Sequence, residues 1–232
     1  MANLTTTNLD IGTVIVSDAV FIDGILAFPG ADTYVEGTIL ARKQVADAIT
    51  AAADVGNTGD GTVTAVSVIA GDTIPSVGAY NLECVAAVTN GGTFKLEDPN
   101  GAIIANDLVM TAGAGAATVF YVGGVTFTVT DGATDFIVGD KFSLTVAADG
   151  DIVIFAEDGI GGAQVPSMVL TYDVTATGAA DVPARAMASG RVRREKLVID
   201  AGGTVTDRIV DGLRDFGIVA EKVTELNIQD NQ

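Results

Sequence analysis

The residues able to do chemistry in this chain are few. There is no histidine, and Cys84 is the single cysteine. Without His the commonest general base and the commonest metal ligand are both missing. A Ser-His-Asp triad, a Cys-His dyad and any His-containing zinc site are therefore excluded. One cysteine cannot form an internal disulfide, so the chain is not a stapled small framework. Cys84 stands in a run where Tyr80, Leu82, Cys84, Ala86 and Val88 alternate with Asn81, Glu83 and Ala87. That period puts the thiol on the apolar face of a strand, where it is expected to act as a buried small hydrophobe.

Other constellations are weaker. Asp54, Asn57 and Asp60 offer oxygens to a cation but lack the calcium-loop spacing and its closing Glu. Gly113-Ala114-Gly115-Ala116-Ala117-Thr118 imitates the opening of a dinucleotide fingerprint, which needs a helix after it; a β-hairpin is expected there instead. Ser and Thr hydroxyls have Lys95, Lys141 and Lys196 as potential activators, with no local signature that fixes a pair. Glu97 and Asp98 are adjacent in a turn, where solvation is the expected state. The expectation is a protein that is not an enzyme, with no catalytic residue, no cofactor and no metal.

The charge balance narrows the partners. The 232 residues carry 30 acids and 12 bases, a formal net charge of −18. Such a chain is repelled by nucleic acid and by anionic membrane surfaces, so neither is expected as a partner. Leu108 to Thr130 carries enough uncharged residues to span a bilayer, but Val125, Phe127 and Val129 alternate with Thr126, Thr128 and Thr130, the period of a strand. The first basic residue is Arg42, so the positive region of a secretory signal is missing and synthesis in a cytoplasm is expected.

The elements that would position these groups are short. Gly, Val, Thr and Ala dominate, and a chain of this length buries about 70% of its unfolded surface. The fold class expected is mainly β with one or two short helices (α+β). Residues 1–36 hold apolar runs separated by Asp10, Asp18, Asp23 and Pro29-Gly30, and read as extended chain that either joins its own sheet or waits for a partner surface. Gly37 to Leu40 reads as a strand, and Val45 to Val55, with Val45, Ala48, Ile49 and Ala52 at helical spacing, as a helix candidate. From Gly61 to Val146 the pattern is of six to eight short strands, with Gly123-Gly124 as a two-residue hairpin loop, which suggests an antiparallel sandwich. Strands return at Ile152 to Phe155, Met168 to Val174 and Ala184 to Ile199. A helix follows, capped by Thr206, with Ile209, Val210, Leu213 and Phe216 on one face and Gly217 as its stop.

Five of the twelve bases fall in one stretch: Arg185, Arg191, Arg193, Arg194 and Lys196. Arginine forks on an acidic molecule suit carboxylates of a neighbouring subunit, or else protect an edge strand by charge.

Several pieces together resemble the head decoration, or cement, proteins of lambda-type tailed bacteriophages. They are Gly37-Thr38-Ile39-Leu40-Ala41, Asp151 to Asp158 with Ala163 to Asp173, Val182 to Gly190, and the terminal helix ending Phe216-Gly217-Ile218-Val219. Where that small fold would run almost directly from Ala41 to Asp151, about ninety residues intervene. The resemblance thus implies an extended arm at 1–36, a discontinuous decoration-protein core at 37–59 and 148–226, an inserted antiparallel β-sandwich domain at 60–147 and a tail at 227–232. It further implies a virion structural protein on the outer surface of a phage head, binding the major capsid protein as a trimer at three-fold sites. In that reading Leu4, Leu9, Ile11, Val14 and Val16 form the capsid-binding arm, and Arg185, Arg191, Arg193 and Arg194 a subunit interface. The alternative is a phage tail or surface adhesion module whose inserted domain binds a host carbohydrate or protein.

Overall fold

Alternating apolar residues and frequent turns make this chain mainly β. The computed structural model describes residues 14–222, except 28, 71–72, 179 and 200–201. Along the described residues run β1 (Ile15–Leu26), β2 (Gly30–Tyr34), β3 (Ile39–Arg42), β4 (Val45–Ala53), β5 (Thr62–Val68), β6 (Gly78–Val88), β7 (Gly91–Glu97) and β8 (Ile103–Val109). There follow β9 (Ala117–Val122), β10 (Val125–Thr130), β11 (Lys141–Ala148), β12 (Ile152–Ile154), β13 (Pro166–Leu170), β14 (Val174–Gly178), β15 (Val182–Arg193), the helix α1 (Asp207–Asp215) and β16 (Ile218–Glu221). The chain divides into two compact units, one of residues 1–40 with 166–232 and the other of residues 41–165.

The second unit is built on an eight-stranded sheet in the order β8-β7-β6-β11-β4-β5-β10-β9. Every neighbouring pair whose register is resolved runs antiparallel. The alternation that predicted strands also fixes which face is buried: Tyr80, Leu82 and Cys84 on β6, Phe94 and Leu96 on β7, Val125, Phe127 and Val129 on β10, and Phe142, Leu144 and Val146 on β11 all enter one core. One cluster takes side chains from both ends of the strand order, so the sheet curls over on itself as a sandwich does. Phe136 ties the loop between β10 and β11 to this core, standing edge-on to Phe94 at 5.1 Å and to Phe142 at 6.1 Å. Gly61 has to be glycine for the same reason, because a Cβ there would lie 2.1 Å from the Phe136 ring.

The expected helix over Val45 to Val55 is corrected: Val45–Ala53 is β4, paired with β11 from Phe142↔Ala53 to Ala148↔Val45. Val45 and Ile49 are its two buried residues, and a spacing of four satisfies a strand as well as a helix. The pairing with β11, a long-range contact, decides between them. The Gly123-Gly124 hairpin is found as expected, with both glycines at positive φ between Val122 and Val125. The end of β8, β9 and β10 occupy the uncharged stretch from Leu108 to Thr130, and among the described residues no helix is long and apolar enough to cross a membrane.

In the first unit β15 is the central strand. Along one edge it carries β1 antiparallel, from Ile15↔Val192 to Leu26↔Val182. Along the other it takes β13 at Ala186 and Met187, and then β16 in parallel from Gly190 to Arg193. The separate apolar runs before residue 28 thus join into one twelve-residue strand with bulges near Asp18, whose φ is 55°. Gly190 lies opposite that bulge at φ 131°, and a Cβ there would stand 2.8 Å from the Asp18 carbonyl oxygen. The expected strand from Ala184 to Ile199 is shorter than anticipated: it stops at Arg193 and a 3₁₀ turn follows over Arg194–Lys196.

Helix α1 forms where expected. Thr206 is its N-cap residue, without a side-chain capping bond, and Gly217 follows its last turn at φ 84°. Ile209, Val210 and Leu213 are its buried face and the helix packs on β13 and β16, whereas Phe216 is exposed. β2 and β14 form a separate two-stranded ribbon, from Val174↔Tyr34 to Gly178↔Gly30. The expected tail at 227–232 lies outside the described residues.

Candidate functional site

The period of two along β1 sorts its residues onto two faces. Leu26 is buried, and so are Ala184 and Ala186 on β15, the partners of Gly24 and Ile22, which defines the inner face. Phe21, Asp23 and Ile25 occupy the other face, opposite Met187, Arg185 and Pro183. Met187 is buried, but Phe21 is 45% exposed and Ile25 58% exposed, which is unusual for large apolar side chains of a long paired strand. Tyr172, 44% exposed, lies alongside them, and its hydroxyl reaches the Pro183 carbonyl at 3.4 Å.

At the middle of this patch Arg185 donates from Nε to Asp23 Oδ1 at 2.6 Å and from Nη2 to Asp23 Oδ2 at 3.1 Å. Its guanidinium also stands 5.8 Å from the centre of the Phe21 ring. The hydrogen bonds from Arg185 hold the Asp23 carboxyl below its ordinary range, and Asp23 in turn raises the Arg185 guanidinium. Asp23, Gly24, Tyr172, Pro183, Ala184 and Arg185 line an open cleft of about 390 Å³. Aromatic and arginine side chains around a shallow depression match the composition of protein-binding surfaces.

The other expected site residues fall as follows. Leu4, Leu9 and Ile11 of the anticipated arm lie outside the described residues. Val14 is buried, its N–H donating to Glu36 Oε1 at 2.7 Å and its carbonyl accepting from the Arg193 N–H at 2.8 Å, while Val16 is 41% exposed. Among the arginines, Arg191 pairs with Glu221 at 2.7 Å and Arg194 with Asp207 at 2.5 Å, so both have carboxylates of their own chain; Arg193 is buried.

In the second unit the oxygens considered for a cation serve the loops. Asp54 Oδ1 accepts from the Gly56 N–H, Asn57 exchanges two hydrogen bonds with the Lys141 backbone, and Asp60 Oδ1 accepts from the Thr134 N–H. Asp140 is the organiser there. Its buried carboxylate accepts from the N–H groups of Thr58, Gly59 and Ile137 at 2.8, 3.0 and 3.0 Å. Burial acts to raise this carboxyl, but the donors Ile137, Thr58 and Gly59 outweigh it and hold it below the usual carboxylate range. Among the described residues no three His, Cys, Asp or Glu side chains come together as a metal site.

Cys84 is fully buried, and burial pushes its thiol up, away from the reactive thiolate. The Gly113 to Thr118 segment runs into β9, a strand, so it lacks the helix N-terminus that a dinucleotide phosphate needs. On the outside of the same sheet Lys95 bridges Glu83 at 3.1 Å and Glu97 at 2.8 Å.

No family model and no curated protein matches the chain. Among solved structures it is similar to FlgL of Xanthomonas campestris, in space groups H3 and C2. The H3 form has 21% identity over 49% of this chain and 33% of that one, at a TM-score of 0.33. The C2 form has 21% identity over 48% of this chain and 33% of that one, at a TM-score of 0.33. It is also similar to the flagellar junction protein FlgL from Legionella pneumophila, with 13% identity over 50% of this chain and 38% of that one, at a TM-score of 0.32. The chain thus spans little more than a third of the length of these proteins, and likeness at this level assigns no role to it.

These neighbours correct the resemblance drawn from the sequence. They are flagellar junction proteins and not capsid decoration proteins, so the reading as a phage cement protein is withdrawn. With it go the major capsid protein as partner, the three-fold trimer, the virion surface as location and the phage adhesion alternative. The physical reason lies in the motifs: Gly-Thr-Ile-Leu-Ala, a Val-rich strand and a closing amphipathic helix are what a β-rich chain with one helix needs in order to fold, and they carry no group specific to a capsid.

Proposed function

We propose that this chain is a non-catalytic structural protein that works by binding a protein partner, and that the outer face of β1 and β15 in the first unit is where the partner docks. The observation that carries this reading is the cluster of Phe21, Ile25 and Tyr172, all substantially exposed, around the Arg185–Asp23 fork. Other apolar side chains such as Val109 and Tyr121 are exposed as well, but here exposed aromatic and aliphatic groups flank a bidentate arginine and an open cleft, the combination that supports an interaction site. A docking partner removes Phe21, Ile25 and Tyr172 from water and strengthens the fork they surround by excluding solvent from it. The acidic surface elsewhere keeps the protein soluble and disfavours unspecific association.

The test is photocrosslinking in the cells that make the protein, with a benzophenone side chain placed at Ile25 or, as a control, at the exposed Val109 of β8. An adduct of one defined protein mass from Ile25 and not from Val109 is the expected result. No adduct, or the same adducts from both positions, would contradict the assignment.

A further inference from the structure

The chain contains two Asn-Gly steps, Asn90-Gly91 and Asn100-Gly101. An Asn-Gly step is the sequence most prone to attack on its own side chain, because glycine leaves the following backbone nitrogen unshielded. Whether the reaction runs in a folded protein depends on how freely the backbone there can move.

The two steps sit in opposite surroundings. Asn90 is clamped on both sides: its N–H donates to Asp135 Oδ1 at 2.8 Å and its carbonyl accepts from the Gly113 N–H at 2.8 Å. Gly91 is buried, and a Cβ there would already touch Ala112 and Val88 at 3.3 Å. Asn100 is exposed at the tip of the turn joining β7 to β8. Gly101 follows at φ 81° with nothing within 4 Å of its Cβ position. Two hydrogen bonds hold these two residues, both to Asp98: the Asn100 N–H to Oδ1 at 2.9 Å and the Gly101 N–H to the carbonyl at 2.9 Å. Bonds at an exposed turn open at little cost, whereas freeing Asn90 requires a larger local opening.

We infer that Asn100 is a site of spontaneous deamidation in the native protein, while Asn90 is protected by the fold. In the reaction the Gly101 amide nitrogen gives up its proton to solvent base and attacks the Asn100 side-chain carbonyl carbon. A C–N bond forms, the bond to Nδ2 breaks and ammonia leaves, so the product is a five-membered succinimide. Water then opens either carbonyl of the ring to give aspartate or its β-linked isomer. No oxidant or second substrate is needed. Each conversion adds one negative charge beside Asp98, and the β-linked product inserts an extra methylene into the β7–β8 connection.

The test is peptide mapping of the intact protein held at mildly alkaline pH, natively and in denaturant, with Asn100→Gln as the blocked control. The expected result is conversion at Asn100 about tenfold or more faster than at Asn90 in the native protein, which corresponds to about 1.4 kcal/mol or more of additional opening free energy at Asn90. In denaturant the two rates converge, and Asn100→Gln abolishes the signal of that turn. Equal rates in the native protein, conversion led by Asn90, a difference that persists unchanged in denaturant, or no conversion at Asn100 would each overturn the inference.

Discussion

Arg185 and Asp23 lie 162 residues apart in sequence and directly opposite one another in the β1–β15 pair, where Arg185 grips both carboxylate oxygens of Asp23. A planar fork meeting a carboxylate in this way fixes orientation as well as charge. Both side chains are largely exposed, at 52% for Arg185 and 72% for Asp23, so in the free protein the pair adds little to stability. Its value on this account is to hold Arg185 beside Phe21, ready for a partner that excludes water.

That pairing has a pH signature. Asp23 has a depressed carboxyl, so its contribution is present above the ordinary Asp value of about 3.9 and is lost as pH falls through the lower folded value. Thermal melts of the native chain and of Asp23→Asn are expected to differ slightly at neutral pH and to converge in acid. A gap that widens on acidification would contradict the direction of the shift.

Asp140 gives a larger effect because it is buried. Asp140→Asn removes the acceptor from at least one of three backbone donors, Thr58, Gly59 and Ile137, and is expected to cost about 2–3 kcal/mol in denaturant unfolding. Because the native carboxyl is depressed, the advantage over the variant is expected to be full at neutral pH and to shrink below about pH 4. A neutral substitution would show that Asp140 does not organise the loops.

Gly61 and Phe136 are expected to be coupled. Gly61→Ala drives a methyl into the Phe136 ring and is expected to cost about 1–3 kcal/mol, while Phe136→Ala empties the space between Phe94 and Phe142 at about 3–5 kcal/mol. The double variant should cost less than the sum of the two, since each change removes the other's clash or cavity. Strict additivity in a double-mutant cycle would refute the contact.

At Gly37 the obstruction is backbone. Its φ is 92°, and a Cβ would fall 2.0 Å from the Lys196 carbonyl oxygen, while its own carbonyl accepts from the Val198 N–H. Gly37→Ala is therefore expected to be among the most damaging single-methyl changes in the chain, with a markedly lowered melting temperature. A variant with unchanged melting would mean that this segment relaxes freely.

These features show what could be read from sequence. Helix α1 was legible because cap, apolar stripe and terminating glycine are all local, and Ile209, Val210 and Leu213 are buried as their spacing requires. The strands around Phe127 and Leu144 were legible because the period of two survives in them, and β6 was legible as far as Cys84; beyond the register shift there, Ala86 and Val88, expected on the same buried face, are exposed. β4 was misread because its two buried residues are four apart and its alanines fit either state. The patch of Phe21, Ile25 and Tyr172 could not be found at all: nothing near Asp23 announces that Arg185 lies opposite it. The arginine cluster was visible as composition, but the carboxylates that Arg185, Arg191 and Arg194 meet were set by strand and helix packing within the chain.

The docking claim is tested most directly by measuring the affinity of the partner captured from Ile25 for the native chain and for the Phe21→Ser/Ile25→Ser double variant, with thermal melts to confirm that both are folded. Loss of two anchor side chains is expected to weaken binding by about thirtyfold or more, the equivalent of about 2 kcal/mol. An unchanged affinity in a folded double variant would show that the outer face of β1 and β15 is not the binding surface.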